Sequence, residues 1–326
     1  MLLLVALATA GAAGAGAQME AVASELRGTL GVIDTATNKL ASKPIKVGSY
    51  ASSIALSPDG GRAYVVNSGL RRGSVSVVDL SANTETARVK VGRFSEGIAI
   101  SPDGRRAYVA NLGSNTVSVI DTTTNRLVAK GIAVGREPNA IAISPDGSRV
   151  YVANTSSNSV SVIDTATNRP AAKAIRVGRL PYALAINSDG SRLYVVNVRD
   201  DAVSVIDTAT NRTAAKVKTG DGPTALAVSP SGKRLYVVNA RDDTVSVIDT
   251  VTNKLASKAI EVGDWPTAIA LTPDGGRAYV TSIEQGSVSA IALATGKSAA
   301  KAIKVGPFPL ALAMSPDGSR IYVVNN

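Results

Sequence analysis

Apolar and polar residues alternate in short bursts along this chain, and Pro138–Gly178 shows one complete copy of the pattern. Ala140–Ser144 alternates small and large apolar residues and stops at Pro145-Asp146-Gly147. In such a turn proline presets φ at one position and glycine accepts the left-handed one. Val150–Asn154 follows, rich in β-branched and aromatic residues, and then the polar, turn-like Thr155–Asn158. Ser159–Ile163 sets Ser against Val or Ile with period two, the mark of a strand with two unlike faces. Asp164–Asn168 reads as a further turn, and Ala171–Val177 as a fourth strand closed by Gly178.

The pattern recurs along nearly the whole chain. Aligning the Ser-Pro-Asp-Gly loop gives Asp59, Asp103, Asp146, Asp189, Ser231, Asp274 and Asp317, at intervals of 44, 43, 43, 42, 43 and 43 residues. Four antiparallel strands in a period of this length predict a β-propeller blade. The first strand carries Ala at its centre in every copy, from Ala55 and Ala99 to Ala313, where neighbouring blades crowd at the axis. The second carries Tyr64, Tyr108, Tyr151, Tyr194, Tyr236, Tyr279 and Tyr322, which read as core residues whose hydroxyls reach a polar partner. Residues 28–48 supply only a third and fourth strand, and the chain ends with only a first and second. The predicted fold is therefore all-β: a seven-bladed β-propeller of four-stranded antiparallel blades. Its N-terminal strands complete the C-terminal blade and so remove both free edges.

Tyr-Val-Ala-Asn and Tyr-Val-Val-Asn follow Ser-Pro-Asp-Gly and precede Val-Ser-Val-Ile-Asp-Thr-Ala-Thr-Asn. In these motifs the chain resembles the YVTN family of β-propeller repeats over about residues 28–326. The resemblance implies a seven-bladed propeller, often exported or on a cell surface, and no single activity. Related propellers also serve in redox enzymes and lactonases.

Residues 1–17 read as a signal peptide, with Leu2–Ala8 as apolar core and Ala15-Gly16-Ala17 as cleavage site, although no Lys or Arg precedes the apolar run. Residues 18–27 read as a linker. Blades are expected near 49–92, 93–135, 136–178, 179–220, 221–263 and 264–306, with 307–326 joining 28–48. The mature chain is then one exported monomeric domain (periplasmic, secreted or cell-surface) without an integral membrane span.

Composition narrows the chemistry. The chain has neither Cys nor His, which excludes disulfides, a Ser-His-Asp triad and ordinary zinc or haem ligation. No cofactor and no metal site are expected. The net charge of +10 suggests nucleic acid, but the basic residues are spread around the ring. Arg62, Arg106, Arg149, Arg192, Arg234, Arg277 and Arg320 share one repeat position and are expected to pair with turn aspartates, and aromatic platforms for bases are few. No nucleic-acid partner is expected.

If repeated residues are scaffold, recognition belongs where the copies differ. Variation concentrates in the loop after Val-Gly and in the loop between the second and third strands, which antiparallel order places on one face. That face carries Tyr50, Phe94, Leu180, Tyr182, Trp265 and Phe308. Its charges look divided, with Arg71, Arg72, Arg93, Arg136 and Arg179 early and Asp221, Asp242, Asp243, Asp264 and Glu284 late. Arg199-Asp200-Asp201 and Arg241-Asp242-Asp243 occupy equivalent positions, while Glu96 and Asn139 begin inner strands and would line the axial mouth. Three readings follow: a non-enzymatic scaffold holding a protein or cell-envelope ligand on this face, a lactonase-like hydrolase with a carboxylate and arginine site in the funnel, or a surface-layer component. The aromatics equally suit plugs for their own blade junctions, and the charges suit solvated loops.

Overall fold

The computed structural model describes residues 28–69 and 72–326. The signal-peptide and linker segments and Arg71 lie outside the described residues. Seven antiparallel sheets follow one another around an axis, and each runs outward in chain order from an inner strand. Blade 3 is representative, with Pro138–Ile143 innermost, then Arg149–Asn154 and Ser159–Asp164. Tyr151 stands opposite Ala142 on one side and Val162 on the other. Among the described residues no helix is long and apolar enough to cross a membrane.

The core is divided into seven clusters, each lying between two blades. Tyr108, Val117 and Val119 of blade 2 meet Ile141, Val150, Val152 and Ile163 of blade 3 in one of them. Period-two strands make this possible, because both sheet faces are apolar and each is covered by the adjacent blade. The central alanines belong to the same junctions. Ala55 packs toward blade 2 while Ile54 and Leu56 pack toward blade 7. The expectation that only the large neighbours lie between blades is thus corrected: near the axis the sheets converge, and a small side chain on one face admits the large one opposite.

The outermost strand also differs from expectation. In blade 3 it is not continuous over Ala171–Val177 but splits into Arg169–Pro170 and Ile175–Arg176. Blade 4, which has one residue fewer between its turn asparagine and closing glycine, keeps the unbroken strand Arg212–Lys218. The extra residue has no partner in the ladder and bulges away from it.

The seventh blade draws on both ends of the chain. Thr29–Asp34 pairs with Arg320–Asn325 in continuous antiparallel register from Thr29↔Asn325 to Asp34↔Arg320. Leu30, Val32, Ile45 and Val47 enter the cluster that joins this blade to blade 1, and Ile33 enters the cluster toward blade 6.

One face is uniform. Asp146 accepts bonds from the Ser148 amide at 3.0 Å and the Ser148 hydroxyl at 2.7 Å, and also from the Ser144 hydroxyl. These donors, the Ser144 hydroxyl foremost, hold its carboxyl down at about 2. Each Asp-Thr turn docks on a Ser-Pro-Asp-Gly turn, as where the Thr165 hydroxyl bonds the Gly147 carbonyl at 2.7 Å. The repeated arginines were expected to pair with turn aspartates. Among the described residues only Arg234 does so, with Asp249. Arg62 and Arg277 instead reach the carbonyls of Thr122 and Thr35 in the next blade, at 3.1 and 3.4 Å.

Where each blade closes, glycine meets asparagine. The Asn154 amide is fully buried and donates to Ser161 Oγ at 2.9 Å, while the Gly135 amide donates to the same hydroxyl at 3.3 Å. A Cβ on Gly135 would lie 2.6 Å from Asn154 Cγ. Gly48 stands in the same relation to Asn67, and Gly92 to Asn111, each at 2.4 Å.

Candidate functional site

The two variable loops of each blade lie together and are bonded to each other. The carbonyl at one repeat position accepts the amide of the neighbouring loop: Tyr50 from Ser68, Phe94 from Leu112, Trp265 from Ile283 and Phe308 from Asn326, at 2.8 to 3.3 Å. That position has left-handed backbone in every blade, with φ between 45° and 61° at Tyr50, Phe94, Glu137, Leu180, Gly222, Trp265 and Phe308. Such backbone is uncommon for large side chains and costs about 1–3 kcal/mol. Only blade 5 relieves it with glycine.

The cost is offset by a repeated clasp. Asn115, Asn158, Asp201 and Asp243 end their loops and accept the amides of Glu137, Leu180, Gly222 and Trp265 in the following blade, at 2.7 to 3.1 Å. One residue earlier, Ser114, Ser157, Asp200 and Asp242 accept the amides of Arg93, Arg136, Arg179 and Asp221, at 2.7 to 3.0 Å. Asp200, Asp201, Asp242 and Asp243 therefore clasp loops to strands, with Ser and Asn doing the same elsewhere. They do not gather around one point as a funnel site.

The apparent division of charge fades on the same evidence. Asp200 pairs with Arg179 and with Lys216, both at 2.7 Å, and the lysine and arginine hold its carboxyl far below the usual range. Arg241 pairs with Asp221 at 3.3 Å. Arg136 reaches the Ser156 carbonyl at 3.5 Å, and Arg72, Arg199, Asp264 and Glu284 are exposed. Among the aromatics, Phe308 is 46% exposed, while Tyr50, Phe94 and Trp265 are half-buried. Phe94 leaves no room for a side chain on Gly113, so it partly plugs its own blade.

Glu96, Asn139 and Tyr182 come together in a different place, at the second residue of the inner strands. There the ladder shifts register in every blade, between Pro138 and Ala140 or Pro181 and Ala183 for instance. A residue left out of a ladder turns its side chain away from it. These side chains reach along the ring: Ser52 Oγ to the Ser95 carbonyl at 3.4 Å, Asn139 Nδ2 to the Tyr182 carbonyl at 2.7 Å, and Thr267 Oγ1 to the Pro309 carbonyl at 2.9 Å. The Ser68 hydroxyl donates to Glu96 Oε1 at 3.0 Å. Burial raises the Glu96 carboxyl above its ordinary range, with the Ser68 and Ser52 hydroxyls opposing. Burial, followed by the Glu96 charge, pushes the Tyr182 phenol up to about 12. Sequence reading grouped Tyr182 with the rim aromatics and passed over Ser52, Ser68, Thr224 and Thr267. Their shared place after the first inner-strand residue was the available signal.

A measurable consequence follows for stability. A carboxyl raised by folding binds its proton more tightly folded than unfolded, so its contribution is full at low pH and is lost as pH rises through the folded value. Glu96→Gln is expected to melt with the parent at about pH 4 and above it at about pH 8. Melting curves across that range check the sign.

Among the described residues no three acidic, His or Cys side chains cluster. Two shallow grooves, of about 340 and 430 Å³, lie at the outer junctions of blades 4 with 5 and 3 with 4. They contain Asp242, and Arg179 with Asp200, all engaged in the clasps above.

Seven four-stranded sheets around an accessible axis define a β-propeller. A family model for the choice-of-anchor I domain matches residues 5–175, just over half of the chain, and the chain belongs to that family. A YNCE-like beta-propeller model matches residues 180–325 and supports membership among β-propeller families. No curated protein matches significantly. Among solved structures, Kuenenia stuttgartiensis hydrazine synthase is similar with a TM-score of 0.76 and 25% identity, covering 84% of this chain and 92% of that one. A functionally unknown protein from Desulfotomaculum acetoxidans DSM 771 has a TM-score of 0.75 and 17% identity, covering 87% and 95%.

Proposed function

We propose that this chain is an exported, non-enzymatic, monomeric propeller of YVTN-type repeats that holds a protein or cell-envelope component on its variable face. The observation that carries the reading is the contrast between faces. One repeats the same aspartate-locked turns, whereas the other places Tyr50, Phe94, Leu180, Trp265 and Phe308 at one left-handed loop position. Strained, bulky residues kept in a ring are characteristic of recognition surfaces. The family description, a choice-of-anchor domain, suits a protein held at a surface. Burying four aromatics contributes roughly 6–12 kcal/mol against an association cost of about 4–15 kcal/mol. The patch thus supports modest affinity, and tight binding needs polar contacts.

The hydrolase reading loses its support because its four aspartates accept backbone amides and, at Asp200, two cations. Likeness to hydrazine synthase is used for the fold alone. The test is affinity capture from envelope extract with the parent and with Trp265→Ala/Phe94→Ala, both first shown to melt alike. A defined envelope component retained by the parent and lost by the variant is expected. Retention by both would overturn the assignment to this face, and lactone or ester hydrolysis by the purified parent would overturn the non-enzymatic reading.

A further inference from the structure

Inner-strand side chains are partly accessible even though seven strands enclose them, while the second and third strands outside them are almost wholly buried. Water therefore reaches Glu96 and Tyr182 along the axis. Glu96 has hydroxyl neighbours, Ser68 at 3.0 Å and Ser52, and among the described residues none of the ion pairs includes it. Tyr182 is near enough for the Glu96 charge to raise its phenol, and its backbone is fixed by the 2.7 Å bond from Asn139. A carboxylate drawn out of bulk water without a counter-ion weakens a fold unless something else supplies the charge. Glu96 has no counterpart among the equivalent residues Ser52, Asn139, Tyr182, Thr224, Thr267 and Leu310, so the scaffold does not require it.

We propose that the axial mouth binds an organic cation, a primary ammonium or guanidinium group, through the Glu96 carboxylate beside the Tyr182 ring. Such a group matches one carboxylate and hydroxyl acceptors by charge-assisted hydrogen bonds, and an aromatic face adds attraction. A divalent metal is a poorer match, since calcium gathers six to eight oxygens, commonly from several carboxylates. The same carboxylate repels a phosphate chain. The inference concerns the axis and stands whether or not the rim aromatics hold a partner.

The experiment uses the full chain with n-butylammonium chloride at about pH 8, where the cation is charged. Saturable binding by NMR is expected, weakened by about tenfold or more in Glu96→Gln and kept in Trp265→Ala/Phe94→Ala. n-Butanol is expected to bind neither protein. In carboxyl-labelled parent protein the Glu96 resonance is expected to titrate at lower pH once the amine is added, a readout independent of any variant. An acetylated, amidated Ala-Ala-Lys-Ala-Ala peptide separates the sources. Tighter binding than butylammonium assigns the site to a side chain carried on a polypeptide, and weaker binding assigns it to a free amine. Equal binding by parent and Glu96→Gln, absence of saturation, or an unmoved Glu96 titration would overturn the proposal.

Discussion

A chain beginning at Ser49 is expected to lose cooperative melting and to associate. Removing residues 28–48 takes Thr29–Asp34 away from Arg320–Asn325 and leaves that strand with an unpaired edge. It also removes Leu30, Val32, Ile33, Ile45 and Val47, all buried in the two junctions that flank the seventh blade. Five such side chains contribute about 7–15 kcal/mol, comparable with the 5–15 kcal/mol that stabilises a typical domain. The exposed edge is then a template for pairing with another copy. Calorimetry and light scattering would show a broadened or missing transition and larger particles. Adding residues 28–48 back as a separate peptide should restore the transition. A truncated chain that melts like the parent would show that the seam contributes little.

Gly135→Ala is expected to be nearly as damaging for one added methyl group. Its Cβ would stand 2.6 Å from Asn154 Cγ, and the asparagine is fully buried against its serine. Overpacking of this kind costs about 1–3 kcal/mol, and breaking the Asn154–Ser161 and Gly135–Ser161 bonds adds about 1–3 kcal/mol for each group left unpaired. Urea unfolding should give a midpoint lowered without a change in slope. Asn154→Ser combined with Gly135→Ala should recover part of the loss, because a shorter side chain makes room. Blade 6 already uses this smaller pairing, with Ser282 against Gly263. No recovery in the double variant would place the cause outside this contact.

The period of Asp59 through Asp317 made the fold legible, because a repeat of strand-length bursts admits few arrangements. What the repeat hid was the difference between kinds of variation. Asp200 and Asp242 looked like chemistry because they replace Ser114 and Ser157, yet all four accept the same amide. Tyr50, Phe94 and Trp265 looked like free variation, although a left-handed backbone fixes their position. A bulge one residue into each inner strand sets Glu96 and Tyr182 at the axis, and alternation alone gives no sign of such a shift. The split fourth strand was legible in principle, from the single residue that separates blade 3 from blade 4.

The seam also has a mechanical meaning. Thr29 lies opposite Asn325, so the two ends of the propeller leave side by side from the variable face, next to Phe308. A load drawing those ends apart meets the paired strands one bridge at a time and opens them as a zipper, the weak direction for a β-ladder. A load carried by either end alone passes into a closed ring without stressing the seam. A tether at one end holds the ring firmly with its variable face turned toward the tether, whereas tension between both ends makes this blade the first to part.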